Sequence, residues 1–187
     1  CGAVEVIQGA VSDVAGTRDF YLSEESNLNT FHATGTGRKH LSGKVLEVKT
    51  YTVPELAHTY GPPDLIRMDV EGHEVEIMAG MLESISKGTI APMIIFETHN
   101  SRYSESHNME SILRSFFQLG YSIRYLASSS QRGTHKIEQR GYRGSPPIVT
   151  DGVTRVIYED VKDDDGIDFI CHGGARTVLI QHSNSDG

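Results

Sequence analysis

The sequence is short of cysteine, of positive charge and of long apolar runs, and each shortage excludes a class of protein. Only Cys1 and Cys171 are present and no CxxC pair occurs, which rules out a disulfide framework and a cysteine-built metal ribbon. A reducing, cytoplasmic setting is the expectation that goes with so little cysteine. No apolar stretch approaches the ~20 residues of a spanning helix, and no leader-like segment is visible, so no membrane association is expected. The formal net charge is -8, so a nucleic-acid surface held by phosphate neutralisation is not expected either. Nineteen glycines and six prolines punctuate the chain without forming a repeat or a low-complexity tract. Gly35-Thr36-Gly37 is no dinucleotide fingerprint, because no apolar strand precedes it and no third glycine leads into a helix. What remains is 187 residues, 37% hydrophobic and 22% charged, enough for one domain with a real core.

The richest stretch is Asp64-Leu65-Ile66-Arg67-Met68-Asp69-Val70-Glu71-Gly72-His73-Glu74. A short apolar run turns acidic, meets a glycine, and passes into a helical pattern in which Val75, Met78, Leu82 and Ile85 share a face widened by Ile77 and Met81. Strand, tight turn and helix in this order predict the front half of a βαβ unit, with Asp69 and Glu71 at the carboxyl end of the strand, where open parallel sheets bind ligands. Taken alone, Glu71 and Glu74 are equally readable as the acidic residues favoured in a first helical turn.

The next strand, 91–98, is a continuous apolar run suited to a buried parallel position. It ends in Glu97-Thr98-His99, and equal parity puts Glu97 and His99 on one face if the strand stays regular. A carboxylate directly after Ile94-Ile95-Phe96 requires a partner or a ligand.

Other elements follow from local signals. Strands are predicted at 3–12, 18–23, 44–51, 121–127 and 175–181. Thr52-Val53-Pro54-Glu55 is a capping box opening a short helix that Gly61-Pro62-Pro63 stops. Met109, Ile112, Leu113, Phe116 and Phe117 stripe a helix over 107–119 that ends at Gly120. Residues 128–174 form a long polar excursion carrying Arg132, His135, Lys136, Arg140 and Arg143 and then the acidic run Glu159 to Asp165. Within it His135 to Gln139 and Thr154 to Tyr158 are expected to pair as a ribbon, and the basic residues to cover an anionic acceptor.

The Asp69-Val70-Glu71-Gly72-His73-Glu74 motif, followed by Ile77-Met78-Ala79-Gly80, resembles the signature of the FkbM-type methyltransferases. Three other segments fit in the same order: Gly9-Ala10-Val11-Ser12-Asp13 with Gly16, Val48-Lys49-Thr50-Tyr51-Thr52 with Leu56, and Ile94-Ile95-Phe96-Glu97-Thr98-His99. The resemblance spans roughly residues 4 to 126. It implies an α/β, Rossmann-like class I methyltransferase sheet, mostly parallel with a C-terminal antiparallel strand. It implies S-adenosylmethionine as cofactor, with Ser12, Asp13 and Asp69 on the cofactor side. Glu71, Glu97 and His99 are then the catalytic candidates, with His99 or Glu71 as the base. The implied acceptor is a small molecule, a sugar or a polyketide-like product, methylated on a hydroxyl.

The sequence departs from that family in one respect. The glycine-rich loop after a first strand and the acidic residue after a second are both absent, and the chain opens on Cys1 where a third strand is expected. The expectation is therefore that 1–187 is the C-terminal portion of one longer domain, its N-terminal strands missing. Three outcomes follow for the gap: the third strand pairs directly with the Asp64–Asp69 strand, a neighbouring chain fills it as a homo-oligomer, or upstream sequence does. Two other readings stay open, an inert truncated relative and a hydrolase in which Asp69, Glu71, Glu97 and His99 hold a hard cation.

Overall fold

A computed structural model describes residues 4–24, 29–31 and 41–183. Residues 1–3, and most of the polar 24–44 stretch with Gly35-Thr36-Gly37, lie outside them. Two β layers form. The first is a small sheet of β1 (Ala10–Val11), β2 (Gly16–Ser23) and β3 (Leu41–Tyr51), in the order β1-β3-β2, with β1 parallel and β2 antiparallel to β3. The strand expected at 3–12 shrinks to Ala10–Val11. Val4 and Val6 are 89% and 88% exposed and pair with no strand among the described residues, and an unpaired run does not hold strand geometry whatever its composition.

Helix α1 (Val53–Tyr60) follows, and its capping box forms as the sequence implies. Thr52 Oγ1 accepts from the Glu55 N–H at 3.2 Å, and a Glu55 carboxylate oxygen accepts from the Thr52 N–H at 3.5 Å.

The main sheet begins with β4 (Leu65–Met68), which leads into α2 (Glu74–Ser86). β5 (Met93–Glu97), a single 3-10 turn at Asn100–Arg102, α3 (Met109–Gln118) and β6 (Tyr121–Ser128) come next. Val75, Ile77, Met78, Met81 and Ile85 of α2 enter the core, as do Met109, Leu113 and Phe116 of α3. These are the stripes that the 3.6-residue period marks. They meet Ile94 and Phe96 of β5, both fully buried.

The excursion 128–174 departs from its expected form. Residues 131–138 are a helix, α4 (Gln131–Glu138), and not half of a ribbon. Ser130 caps it by accepting from the Gly133 N–H, and Ile137 is its one large buried anchor. A short hairpin, β7 (Ile148–Thr150) with β8 (Val153–Arg155), precedes β9 (Ile157–Val161) and α5 (Asp163–Cys171). Asp163, Asp164 and Asp165 fill the first turn of α5, where the helix dipole favours them. Lys136 pairs with Asp168, and Arg140 with Asp165 and Asp168. Those two cations are thus engaged within the excursion itself.

The chain returns through β10 (Ala175–His182). The main sheet has the order β4-β5-β10-β6-β9. β4 and β5 pair in parallel, and β10 slots antiparallel between β5 and β6, so the sheet is mixed, with the C-terminal antiparallel strand as expected. β9 adds a second antiparallel strand at the far edge. At the opposite edge β4 has no second strand partner, beyond β5, among the described residues. β1 pairs with β3 and not with β4, so direct closure of the gap by the chain's first strand does not occur. No helix among the described residues is long and apolar enough to cross a membrane.

Candidate functional site

The open edge of β4 faces a cavity of about 670 Å³. Its far wall is the small sheet, contributing Val11 and Phe20, with Phe31 beside it. Val53, Leu56, Ala57 and Tyr60 of α1 close one side. Ile66, Met68 and Val70 continue the apolar lining until it meets the carboxylates of Asp69 and Glu71.

Backbone geometry puts those carboxylates there. The strand ends at Met68, and the His73 N–H donates to the Val70 carbonyl at 3.2 Å to close a tight turn. Glu71 sits in the left-handed region at φ 52, a conformation that costs a non-glycine residue on the order of 1 kcal/mol and collects at functional turns. Gly72 follows at φ 103, and a Cβ there would stand 2.8 Å from Arg102 Cβ, so only glycine fits.

Glu74 opens α2 fully buried. Its Oε1 accepts from the Val70 N–H at 3.2 Å and lies 2.8 Å from His99 Nδ1. A carboxylate can only accept, so Nδ1 of His99 carries the proton of that bond. The His99 backbone N–H donates to the Tyr103 hydroxyl at 3.1 Å. The other ring nitrogen, Nε2, points between Asp69 (3.8 Å) and Glu71 (3.7 Å). Burial alone would lower the His99 pKa, but the hydrogen bond and charge of Glu74, then the charges of Glu71 and Asp69, outweigh it and raise it above 6.5. Burial drives the Tyr103 phenol far upward, so that it stays neutral.

Glu97 belongs to the same constellation through arginine. Arg67 Nη2 bridges Glu97 at 3.3 Å and Asp69 at 3.2 Å, and Arg176 on β10 takes Glu97 from the other side. Asp69, Glu71, Glu97 and His99 are therefore gathered, as the two strand ends imply. Glu97 is committed to cations, and only Asp69 and Glu71 stand on the cavity wall.

Ser12 and Asp13 are elsewhere, off that wall. Ser12 is fully buried, its hydroxyl donating to Asp13 at 2.8 Å and lying 3.0 Å from His73 Nε2. Burial would raise the Asp13 pKa, but the Ser12 hydroxyl and the Arg18 guanidinium at 2.7 Å bring it below the usual value. The turn they form packs on α2 at Gly80, where a Cβ would stand 2.9 Å from Asp13 Cα. The second glycine of the motif thus serves this close approach.

Sequence reasoning missed three groups. Glu74 reads as an ordinary acidic helix start, yet it orients His99 across 25 residues of chain. Arg67, inside the apolar run, joins the two carboxyl-ended strands. A third network runs from Ser12 through His73 to Glu76 (3.4 Å), to His107 (3.0 Å) and back to the Gly72 carbonyl (2.6 Å). The only local signal for it is the i,i+3 spacing of His73 and Glu76.

Comparison with known proteins gives one result. No curated protein and no solved structure matches the chain. The family model described as the methyltransferase FkbM domain matches residues 2–123, well over half of the chain, taking in the small sheet, β4 with its turn, α2, β5 and α3. On that match the chain belongs to the FkbM methyltransferase domain family.

Proposed function

We propose that this chain supplies the acceptor side of an S-adenosylmethionine-dependent methyl transfer to a hydroxyl of a small molecule, a sugar or a polyketide-like product. One observation carries the reading: Asp69 and Glu71 stand where an apolar, aromatic-lined cavity meets the carboxyl end of β4. Family membership gives the reaction class.

The donor set fits part of the cofactor. Two carboxylates suit a sulfonium, and Phe20, Phe31 and Tyr60 offer faces for a flat heterocycle. Among the described residues, no glycine-rich turn and no ribose-directed carboxylate complete the set. When bound, the cofactor supplies an electrophilic methyl on a cationic sulfur. The protein's own share is positioning and proton handling.

Asp69, fixed by Arg67, presents charge toward the sulfonium. Glu71, whose nearest ionic partner among the described residues is His99, would take the proton of the acceptor hydroxyl. His99, locked by Glu74, stands behind Glu71 at ion-pair distance. Glu97 holds Arg67 and so acts through position. Ser12 and Asp13 serve this site indirectly, by seating the first strand on α2.

Calorimetry with S-adenosylmethionine, on this chain and on a version extended upstream, tests cofactor binding, and methyl transfer to a panel of hydroxyl acceptors tests the base. The expected outcome is weakened binding in Asp69→Asn and turnover lowered roughly 100-fold or more in Glu71→Gln, the usual scale for general base catalysis. Wild-type binding and turnover in both variants would overturn the proposal. A second reading, a relative that keeps the fold without the cofactor, is favoured by the incomplete donor set, and silence of both forms in calorimetry would select it.

A further inference from the structure

Three ligand-bearing side chains converge where Asp69 and Glu71 meet the cavity wall, with His99 behind them and no hydrogen bond joining the three. His99 Nε2 is 3.7 Å from Glu71 and 3.8 Å from Asp69, beyond hydrogen-bond reach, and the three ligand atoms all lie within 4.8 Å of one another. His99 is 11% exposed, and its Nε2 has no hydrogen bond among the described residues. The imidazole nevertheless cannot swing away, because Nδ1 is held by a fully buried carboxylate, Glu74.

A buried carboxylate on one nitrogen, with the other nitrogen left toward two further carboxylates, is how a protein prepares a histidine to ligate a cation. The spacing agrees. Two ligand atoms each about 2.1 Å from one ion stand about 3 Å apart at a right angle and about 3.4 Å apart in a tetrahedron, so the 3.7 and 3.8 Å spacings from His99 would close by ~0.3 to ~0.8 Å and no ligand pair by more than ~1.8 Å, within reach of side-chain rotation of Asp69 and Glu71. The charges agree as well. Asp69, Glu71 and Glu74 crowd one imidazole, and Arg67 reaches only Asp69 among them.

We propose that Asp69, Glu71 and His99 form a binding site for a divalent cation, with its open coordination positions facing the cavity. One imidazole with two carboxylates suits an ion of the Mn²⁺ or Fe²⁺ kind rather than an all-oxygen Ca²⁺ cage or a thiolate-bound Zn²⁺. Three protein ligands leave room for oxygens of a small molecule, so the site would hold a hydroxyl or carboxylate ligand through the ion. The inference shares residues with the methyl-transfer reading but does not rest on it, since cation binding is measured with no methyl donor present.

The experiment titrates Mn²⁺ alone into the protein and follows loss of the free-ion electron paramagnetic resonance signal. One equivalent binds in the wild type. Asp69→Asn and Glu71→Gln weaken it at least tenfold, and Glu74→Gln, which only supports His99, weakens it by about 10-fold to 100-fold. Glu71 is on a part-exposed turn, so its variant stays folded and readable by circular dichroism even if a Glu74 variant does not. Glu83→Gln, on the exposed face with Lys87, binds as the wild type does. Failure to bind saturably at millimolar Mn²⁺, or affinity within threefold of wild type in both Asp69→Asn and Glu71→Gln, overturns the proposal.

Discussion

Replacing Gly72 by alanine isolates the turn that builds the site. Two costs add. At φ 103 an L-residue is strained, by about 1–2 kcal/mol. The new methyl also lands 2.8 Å from Arg102 Cβ and 2.9 Å from its Cγ. Cβ cannot rotate away, so the 3-10 turn at Asn100–Arg102 must shift, an overpacking cost of about 1–3 kcal/mol. The sum is roughly 2–5 kcal/mol, which for a chain of this size lowers Tm by roughly 5–15 °C. That same turn follows His99 directly, so the shift also moves the His99 ring relative to Glu71. Differential scanning calorimetry reads the first effect and Mn²⁺ affinity the second. Gly80→Ala is the contrast in backbone only: alanine is worth up to about 1 kcal/mol more than glycine in a helix, but its Cβ would stand 2.9 Å from Asp13 Cα, so an overpacking cost of about 1–3 kcal/mol offsets that gain with no added φ strain. A Gly72→Ala protein melting within 2 °C of wild type, by the conversion just used, would refute the steric argument.

Removing the Glu74 side chain with alanine leaves the Val70 N–H and His99 Nδ1 without their acceptor and is expected to cost about 2–4 kcal/mol in urea denaturation, with Glu74→Gln losing less because its carbonyl still accepts. The Glu76–His107 pair gives stability a pH window. Burial opposes the charge on both, but the His107 contact lowers the Glu76 pKa and the Glu76 contact raises that of His107. The Glu76 contribution is present above about pH 4.5 and lost as pH falls through its lowered value, while that of His107 is complete below about 6.5 and lost as pH rises through its raised value. His73 and Glu74 also face this pair, so the readout is Tm against pH in wild type and Glu76→Gln, and an unchanged profile in the variant would reject the assignment. Thr52→Ala removes the acceptor for the Glu55 N–H and is expected to cost about 1 kcal/mol in the same urea assay.

Much of this arrangement is written in local pattern. The stripes of α2 and α3, the capping box of α1, and the apolar runs of β4 and β5 are read directly from spacing, because each is fixed by residues within one or two turns of each other. The positions of Asp69 and Glu97 follow, since both stand where an apolar run ends. What local pattern does not carry is partnership across the chain. Val4 and Val6 look like strand, but strand needs a neighbour and among the described residues they pair with none. His135 to Gln139 reads as half a ribbon because its few apolar residues show no period, yet 131–138 is helical through a serine cap and a single buried isoleucine. Glu74 and His99, or Arg67 and Glu97, meet only because β4 and β5 lie side by side in register, with Arg67 opposite Ile95.

The placement of β10 has a consequence for how the protein comes to be. The last strand of the described residues lies in the middle of the main sheet, between two strands completed well before it. Until residues 175–182 leave the ribosome, β5 and β6 have no common neighbour, Glu97 lacks the guanidinium of Arg176, and the fully buried Val178 and Ile180 are missing from between them. Assembly of the sheet is thus withheld until residues 175–182 have been made, and a nascent chain stalled within 129–174 would display bare strand edges to the chaperones that guard against aggregation.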